Sequence, residues 1–226
     1  MSLKIRKKDI TRLMNDNNEE EIDISELIDS NVLSDVFQNL IGSMETRSIY
    51  ITGFIEEVSI ESVIAQIHML ESKNREDIHI YVNSDGGYLQ DCFALIDIMD
   101  SSPCDICTFT VGRAASAACL IASNGTKGKR YGGKNAEFMF HELYGDIVDA
   151  KKSNLSYHRD MFDKTNQKVN KIFCKNTGQT IKNIKNVFYD RNLDRWMNCL
   201  EAKKFGIIDK IMKKRKYLKD GTLVVT

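Results

Sequence analysis

From Ser48 onward the chain alternates between two hydrophobic periods, and this constrains its fold more than any other feature. Ser48–Thr52 is a short apolar run with Gly53 as a break. Ile60, Val63, Ile64, Ile67 and Leu70 then recur at helical spacing behind Ser59, a residue type that caps helices. Ile78–Val82 reads as a second strand, followed by a turn over Asn83–Gly87 and a helical face of Leu89, Cys92, Phe93, Ile96 and Met99. Asp105–Val111 is a third strand, Ala114–Ser123 a small-residue helix, and Glu137–Phe140 a fourth strand. The glycines at 125, 128, 132 and 133 read as turns. A long helix is expected over Asn154–Asn176, with Leu155, Phe162 and Val169 seven residues apart and Gly178 placed to end it. Asn198 and Glu201 fit a capping box for a short helix closed by Gly206, and Ile207–Ile211 is a last strand. Strands alternating with helices predict an α/β fold with a largely parallel sheet.

Residues 1–45 are polar and charged, with one apolar-periodic piece around Leu33–Ile41 that reads as a helix. The expected division is an N-terminal extension (1–45), a main domain (46–212) and a basic tail (213–226). The tail's Lys213–Lys216 run reads as a solvated terminus. The 32 basic residues balance 32 acidic ones, which argues against a general nucleic-acid or anionic-membrane binder, since such binding rests on basic excess. The longest stretch without Asp, Glu, Lys or Arg is Ala114–Thr126, 13 residues; a spanning helix needs about 20, so no membrane segment is expected. The basic start is followed by the acidic Asn15–Asp23, so a secretory signal is not expected either. Six cysteines are too few for a disulfide scaffold. Cys104 and Cys107 form a CxxC pair within an apolar strand and read as reduced core residues rather than a redox or zinc site.

Two strand-to-helix junctions can carry chemistry. Glycine at 86 and 87 lets backbone N–H groups approach a ligand closely. Ser116, on the first turn of the Ala114–Ser123 helix, sits beside free N–H groups. Taken alone, a Gly-Gly pair is usually a turn and a Ser near a helix start is usually a cap. His141 at a strand end and Asp194 beside Arg195 have equally plain readings, a structural histidine and an ion pair.

Read together, these segments resemble the Clp protease proteolytic subunit family, ClpP. Ile80–Gly87 (IYVNSDGG) is similar to its YINSPGG segment, and Gly112–Ala118 (GRAASAA) to its GxAASMGA nucleophile motif. Gly125–Arg130 resembles GAKGKR, Phe138–His141 VMIH, and Asn176–Gln179 HTGQ. Leu193–Trp196 falls on RDRF, and Glu201–Asp209 on the EA…YGLVD ending. The resemblance runs from about Ile49 to Ile211. It implies a ClpP/crotonase-like fold of stacked strand–helix units with a protruding handle helix at about 150–177. By position it makes Ser116 the nucleophile, His141 the general base, Asp194 the orienting acid, and the N–H groups of Gly87 and Ala117 the oxyanion hole.

The resemblance further implies a serine endopeptidase, the proteolytic core of an ATP-dependent protease acting on unfolded polypeptides. Such subunits self-associate into rings, usually two stacked heptamers, and take substrates from an AAA+ unfoldase in the cytoplasm or in an organelle of bacterial origin. No GxxxxGK[ST] loop and no HExxH spacing occur, so ATP is a partner's fuel and neither metal nor organic cofactor is expected. Alternatives are an inactive ring subunit with a structural or binding role, an acyl-CoA enzyme of the related crotonase fold, and a viral capsid-maturation peptidase.

Several positions depart from the family pattern. Asp85 stands in place of Pro and is expected to face away from the oxyanion hole, Arg113 in place of Met or Gln, and Ala117 in place of Met. Leu143 and Asp146 replace a Pro and a Gly after His141. A three-residue expansion between Thr180 and Arg191 makes the position of Asp194 the least secured of the three.

Overall fold

The computed structural model describes residues 44–143, 155–188 and 194–213, with residue 42 and short strands at 4–6, 21–23, 216–217 and 223–224. The chain divides into two compact units, Met1–Thr46 and Arg47–Thr226. In the first, Lys4–Arg6 pairs antiparallel with Glu21–Asp23. The helix expected around Leu33–Ile41 lies outside the described residues.

The second unit is built on a seven-stranded sheet. Its strands and helices are β1 (Ser48–Ile55), α1 (Glu57–Lys73), β2 (Ile78–Gly87), α2 (Leu89–Ser101), β3 (Ile106–Ala115), α3 (Ala117–Ser123), β4 (Arg130–Gly132), β5 (Glu137–Phe140), α4 (Leu155–Thr177), α5 (Ile181–Phe188), β6 (Arg195–Asn198), α6 (Cys199–Phe205) and β7 (Lys210–Ile211). The order β1-β2-β3-β4-β7 is parallel throughout. The strand β3 forks: Thr108–Thr110 pairs with β4, while Arg113–Ala115 pairs with β5. The β5–β6 pair is antiparallel.

The helices expected from the sequence form for the reasons it suggests, with some shifts. The buried face of α1 is Ile60, Val63, Ile67 and Leu70. Its cap is Glu56 rather than the expected Ser59: β1 runs on to Ile55, and Ser59 returns a hydrogen bond from N3, its Oγ accepting from the Glu56 N–H at 3.1 Å. The helix α2 ends at Ser101, with Ser102 extended before Pro103. Every residue of α3 is buried, which its Ala, Ser and Cys side chains permit without crowding. Val169 and Phe173 bury the C-terminal half of α4, whereas Tyr157 and Met161 in its N-terminal half are exposed. Gly178, at φ 74°, ends α4 as expected. The capping box at α6 forms as read: Asn198 accepts from the Leu200 and Glu201 N–H groups, and Glu201 Oε2 accepts from the Asn198 N–H.

Three elements go beyond what the sequence pattern predicts: β4, where the glycines imply only turns, α5 and β6. The last strand is shorter than expected, only Lys210–Ile211, because Ile207 N–H is held by Ala202 O and the Asp209 carboxylate turns back to Arg130.

On one face of the sheet Tyr50, Tyr81, Phe109 and Tyr131 stack rung by rung, with centroids 5.2, 4.9 and 4.7 Å apart. A second aromatic cluster joins β5 to three helices: Phe140 meets Phe173 at 4.4 Å and Phe188 at 5.5 Å, and Phe188 meets Phe205 at 5.3 Å. This cluster fixes the end of β5, one residue before His141. Cys104 precedes β3 rather than lying in it, and neither CxxC sulfur is in a disulfide. Cys107 Sγ donates to Asp77 Oδ2 at 3.4 Å, and Cys104 Sγ to Asn74 O at 3.5 Å.

Candidate active site

The site grows out of the fork in β3. The sequence reading placed Ser116 inside a helix beginning at Ala114. Instead the strand continues, because Ala114 pairs with both Ser84 and Phe138, and Ala115 with Met139. The Ser116 N–H donates to Met139 O at 2.9 Å, and the chain then bends sharply. Ser116 adopts φ 52° and ψ −124°, a conformation few L residues take up. It is the residue before α3, its hydroxyl makes no capping bond, and it is half-buried. A serine on such a strained strand-to-helix bend has its Oγ pushed clear of the sheet. Ala117 opens α3, and the N–H of a first helical residue has no acceptor within its helix.

The residues Asn83–Gly87 continue β2 rather than form a turn. Glycine is required at both 86 and 87. A Cβ on Gly86 (φ 103°) would lie 2.8 Å from Ala115 O and from Ser116 Cβ, and 3.1 Å from Ala117 N. A Cβ on Gly87 would lie 2.1 Å from Ile55 O. Bare backbone therefore packs directly against the Ser116 bend.

His141 and Asp194 are brought together by strand register. In the antiparallel β5–β6 pair Phe140 faces Arg195. The next residue outward on β5 is His141 and on β6 is Asp194, so both leave the same end of the pair. His141 Nδ1 lies 2.5 Å from Glu142 O. A carbonyl only accepts, so in this contact Nδ1 is the donor.

A cleft of about 520 Å³ is lined by Ser116, His141, Asp194 and Gly87, the positions expected from the sequence. Ala117 is buried behind it, and its contribution would be its N–H alone. Part of the expansion read between Thr180 and Arg191 falls in 189–193, which, like Asp146, lies outside the described residues. Asp85 also borders the cleft; its side chain is 74% exposed, and its Oδ1 accepts from Arg113 Nη1 at 2.9 Å. Sequence reasoning missed the cleft's apolar walls, Phe54, Tyr88 and Met139. Phe54 and Tyr88 meet edge to face at 5.2 Å and are both more than half exposed. Their one available signal was position, since they sit at the carboxyl ends of parallel strands, where open α/β sheets bind ligands. A second hollow of about 500 Å³, between α4 and α5, is lined by Glu142, Asp163, Lys185 and amide side chains. Among the described residues no three His, Cys, Asp or Glu side chains gather as a metal site, and no helix is long and apolar enough to cross a membrane.

The family model for Clp protease matches residues 11–215, nearly the whole chain and every residue of the cleft. The chain belongs to the Clp protease family. Among curated proteins it is 36% identical over 180 residues to the ATP-dependent Clp protease proteolytic subunit of Streptococcus mutans, covering 79% of this chain and 89% of that protein. The subunits of the same name from Streptococcus pyogenes serotypes M5 and M49 match with the same identity and coverage. Membership in the Clp protease family fits the mixed α/β architecture with its parallel sheet.

Proposed function

We propose that the chain is a serine endopeptidase, the proteolytic subunit of an ATP-dependent Clp-type protease. The observation that carries this reading is the β5–β6 register, which delivers an imidazole and a carboxylate together to the cleft that the strained Ser116 enters. His141 Nε2 takes the Ser116 hydroxyl proton as Oγ attacks the peptide carbonyl. Asp194 accepts the Nδ1–H and stabilises the imidazolium, displacing the Glu142 carbonyl from that proton. The negative oxygen of the tetrahedral intermediate is received by the N–H groups of Gly87 and Ala117, each such donor worth about 3–4 kcal/mol. His141 then protonates the leaving amine, and water repeats the sequence on the acyl-enzyme.

Relatives named as subunits of an ATP-dependent protease support a partner that spends ATP. Under this reading the partner is an AAA+ unfoldase, the substrates are unfolded polypeptides, and copies of the chain assemble into rings, two heptamers stacked through α4, in the cytoplasm or an organelle of bacterial origin. The exposed Tyr157 and Met161 on α4 suit such a contact. Residues 1–45 would form the axial, partner-contacting extension.

The test is labelling of the assembled protein with a serine-reactive fluorophosphonate, beside cleavage of casein with and without an unfoldase. Wild type should be labelled at Ser116 and the Ser116→Ala variant should not. Intact rings that neither label nor cut short fluorogenic peptides would overturn the reading in favour of an inactive ring subunit.

A further inference from the structure

Asp85 brings a negatively charged residue to the border of a cleft whose proposed chemistry develops negative charge. It precedes Gly86, whose backbone lies against Ser116 and Ala117, and it is two residues from Gly87. A negative group there opposes the negative oxygen that the same backbone is meant to receive. The structure supplies a counter-charge from the other side of the fork. Arg113, three residues before Ser116 on β3, has Glu137 as its register neighbour on β5, yet its guanidinium bonds Asp85, with Nη1 2.9 Å from Oδ1. Its own backbone N–H is tied to Asn83 Oδ1 at 3.3 Å, so the arginine is anchored to β2 at two points.

Resting on the serine peptidase reading above, we propose that Arg113 is a positioning residue: it holds and neutralises the Asp85 carboxylate so that the oxyanion site between Gly87 and Ala117 is not met by a like charge. The pair is a salt-sensitive determinant of turnover rather than of fold. Both side chains are at least half exposed, 52% for Arg113 and 74% for Asp85. Their mutual attraction therefore adds little to stability. An unpaired Asp85 acts on the transition state, where the charge it opposes exists, and hardly on the neutral bound peptide. The effect falls on kcat more than on KM.

The experiment uses the full-length assembled protein and an uncharged fluorogenic peptide, with fluorophosphonate labelling run alongside. Arg113→Met should lower kcat about three- to tenfold at low salt with KM changed less than twofold, the size expected of one solvent-screened charge at the border of the cleft. Raising salt toward 1 M should shrink the deficit, as the screening length falls to about 3 Å. Arg113→Lys should recover most of the rate, because it restores the charge. The double variant Asp85→Asn/Arg113→Met should recover it too, because it removes the carboxylate that Arg113 held. A merely structural role predicts the reverse, a double variant at least as impaired as Arg113→Met and no dependence on salt. That result, or full kcat in Arg113→Met, overturns the proposal while wild-type labelling at Ser116 leaves the peptidase reading standing. Absence of wild-type labelling removes that reading and this proposal with it.

Discussion

Arg130 and Asp209, 79 residues apart in the chain, meet as a two-pronged pair, with Nε 2.8 Å from Oδ2 and Nη2 2.7 Å from Oδ1. The Arg130 side chain is 1% exposed. Its Nη1 donates to Ser123 O and Asn176 O, in the last turns of α3 and of α4, where carbonyls have no acceptor role left within their helices. Asp209 Oδ2 also accepts the Gly128 N–H at 2.7 Å. One ion pair thus closes the ends of the helix behind Ser116 and of the handle. Arg130→Met should cost about 3–5 kcal/mol, because it strips a largely buried carboxylate of its two-pronged partner, leaving Lys127 Nζ at 3.9 Å and backbone N–H groups, and takes a donor from the Ser123 and Asn176 carbonyls. Chemical denaturation followed by tryptophan fluorescence measures this, and a loss under 1 kcal/mol would contradict it.

The same pair sets an acid limit. Burial alone would raise the Asp209 pKa, but hydrogen bonds and charge from Arg130, with the Arg130 and Gly128 amides, outweigh it and hold the carboxyl below its ordinary value. A depressed folded-state pKa means the folded protein binds the proton less readily than the unfolded chain. The stabilisation is therefore complete above the unfolded value of about 4 and disappears as pH falls through the lower folded value. Stability measured from pH 6 down to 3 should fall more steeply in wild type than in Asp209→Asn, which is already destabilised and has no carboxyl there to protonate. Parallel curves would exclude Asp209 from the acid transition.

Gly86 and Gly128 separate two costs of replacing a glycine. Both have positive φ, 103° and 88°. A Cβ on Gly128 meets nothing within 4 Å, so Gly128→Ala should cost about 1 kcal/mol of backbone strain and leave activity intact. On Gly86 the same carbon lies 2.8 Å from Ser116 Cβ, and the bend must move to admit it. A displacement of about 1 Å at a nucleophile costs about a hundredfold. Gly86→Ala should accordingly lower kcat/KM by at least that factor, in protein that still assembles. Comparable rates for the two variants would show that the bend tolerates the shift.

The legible parts of this chain were those governed by local pattern. The faces of α1 and α2, the box at Asn198 and Glu201, and the glycine ends at 178 and 206 follow from residue spacing and capping chemistry, and the structure has them. What local pattern missed depends on distant partners. The strand β3 extends to Ala115 because Phe138 and Met139 pair with it, and β4 exists because Arg130 reaches Asp209. The helix α5 is eight residues long, and its two core contacts, Ile184 and Phe188, are too few to show a period against lysines and asparagines. At the site, resemblance located Ser116, His141 and Asp194, while their convergence depends on the β5–β6 register, which no single segment encodes. The partner of Asp85 is likewise set from a distance, since Arg113 lies 28 residues away.

The six cysteines should be nearly silent toward thiol reagents. All are free, and five are buried. Burial pushes the Cys92 and Cys119 thiols well above their ordinary range, and burial together with the Asp77 carboxylate pushes Cys107 up to about 12. The thiolate is the reactive form, so little of it exists at pH 8. Titration of the native protein with a chromogenic disulfide at pH 8 should give at most one fast equivalent, from the partly exposed Cys174, and six after unfolding. Rapid reaction of Cys104 and Cys107 in the native state would instead revive a redox role for the CxxC pair.

Ser116 itself should be a site where function opposes stability. A non-glycine residue held at φ 52°, ψ −124° carries about 1–3 kcal/mol of strain. Ser116→Ala removes the hydroxyl but keeps the Cβ that causes the strain. Ser116→Gly removes both, at an entropic cost of about 0.5–1 kcal/mol from the freer unfolded chain. The difference leaves Ser116→Gly more stable than Ser116→Ala by about 0.5–2 kcal/mol, with both variants inactive. Thermal or denaturant unfolding of the two, compared at equal assembly state, reads this directly. If the glycine variant unfolds first, the bend is not strained, and its shape is set by the contacts of Gly86 and Met139 alone.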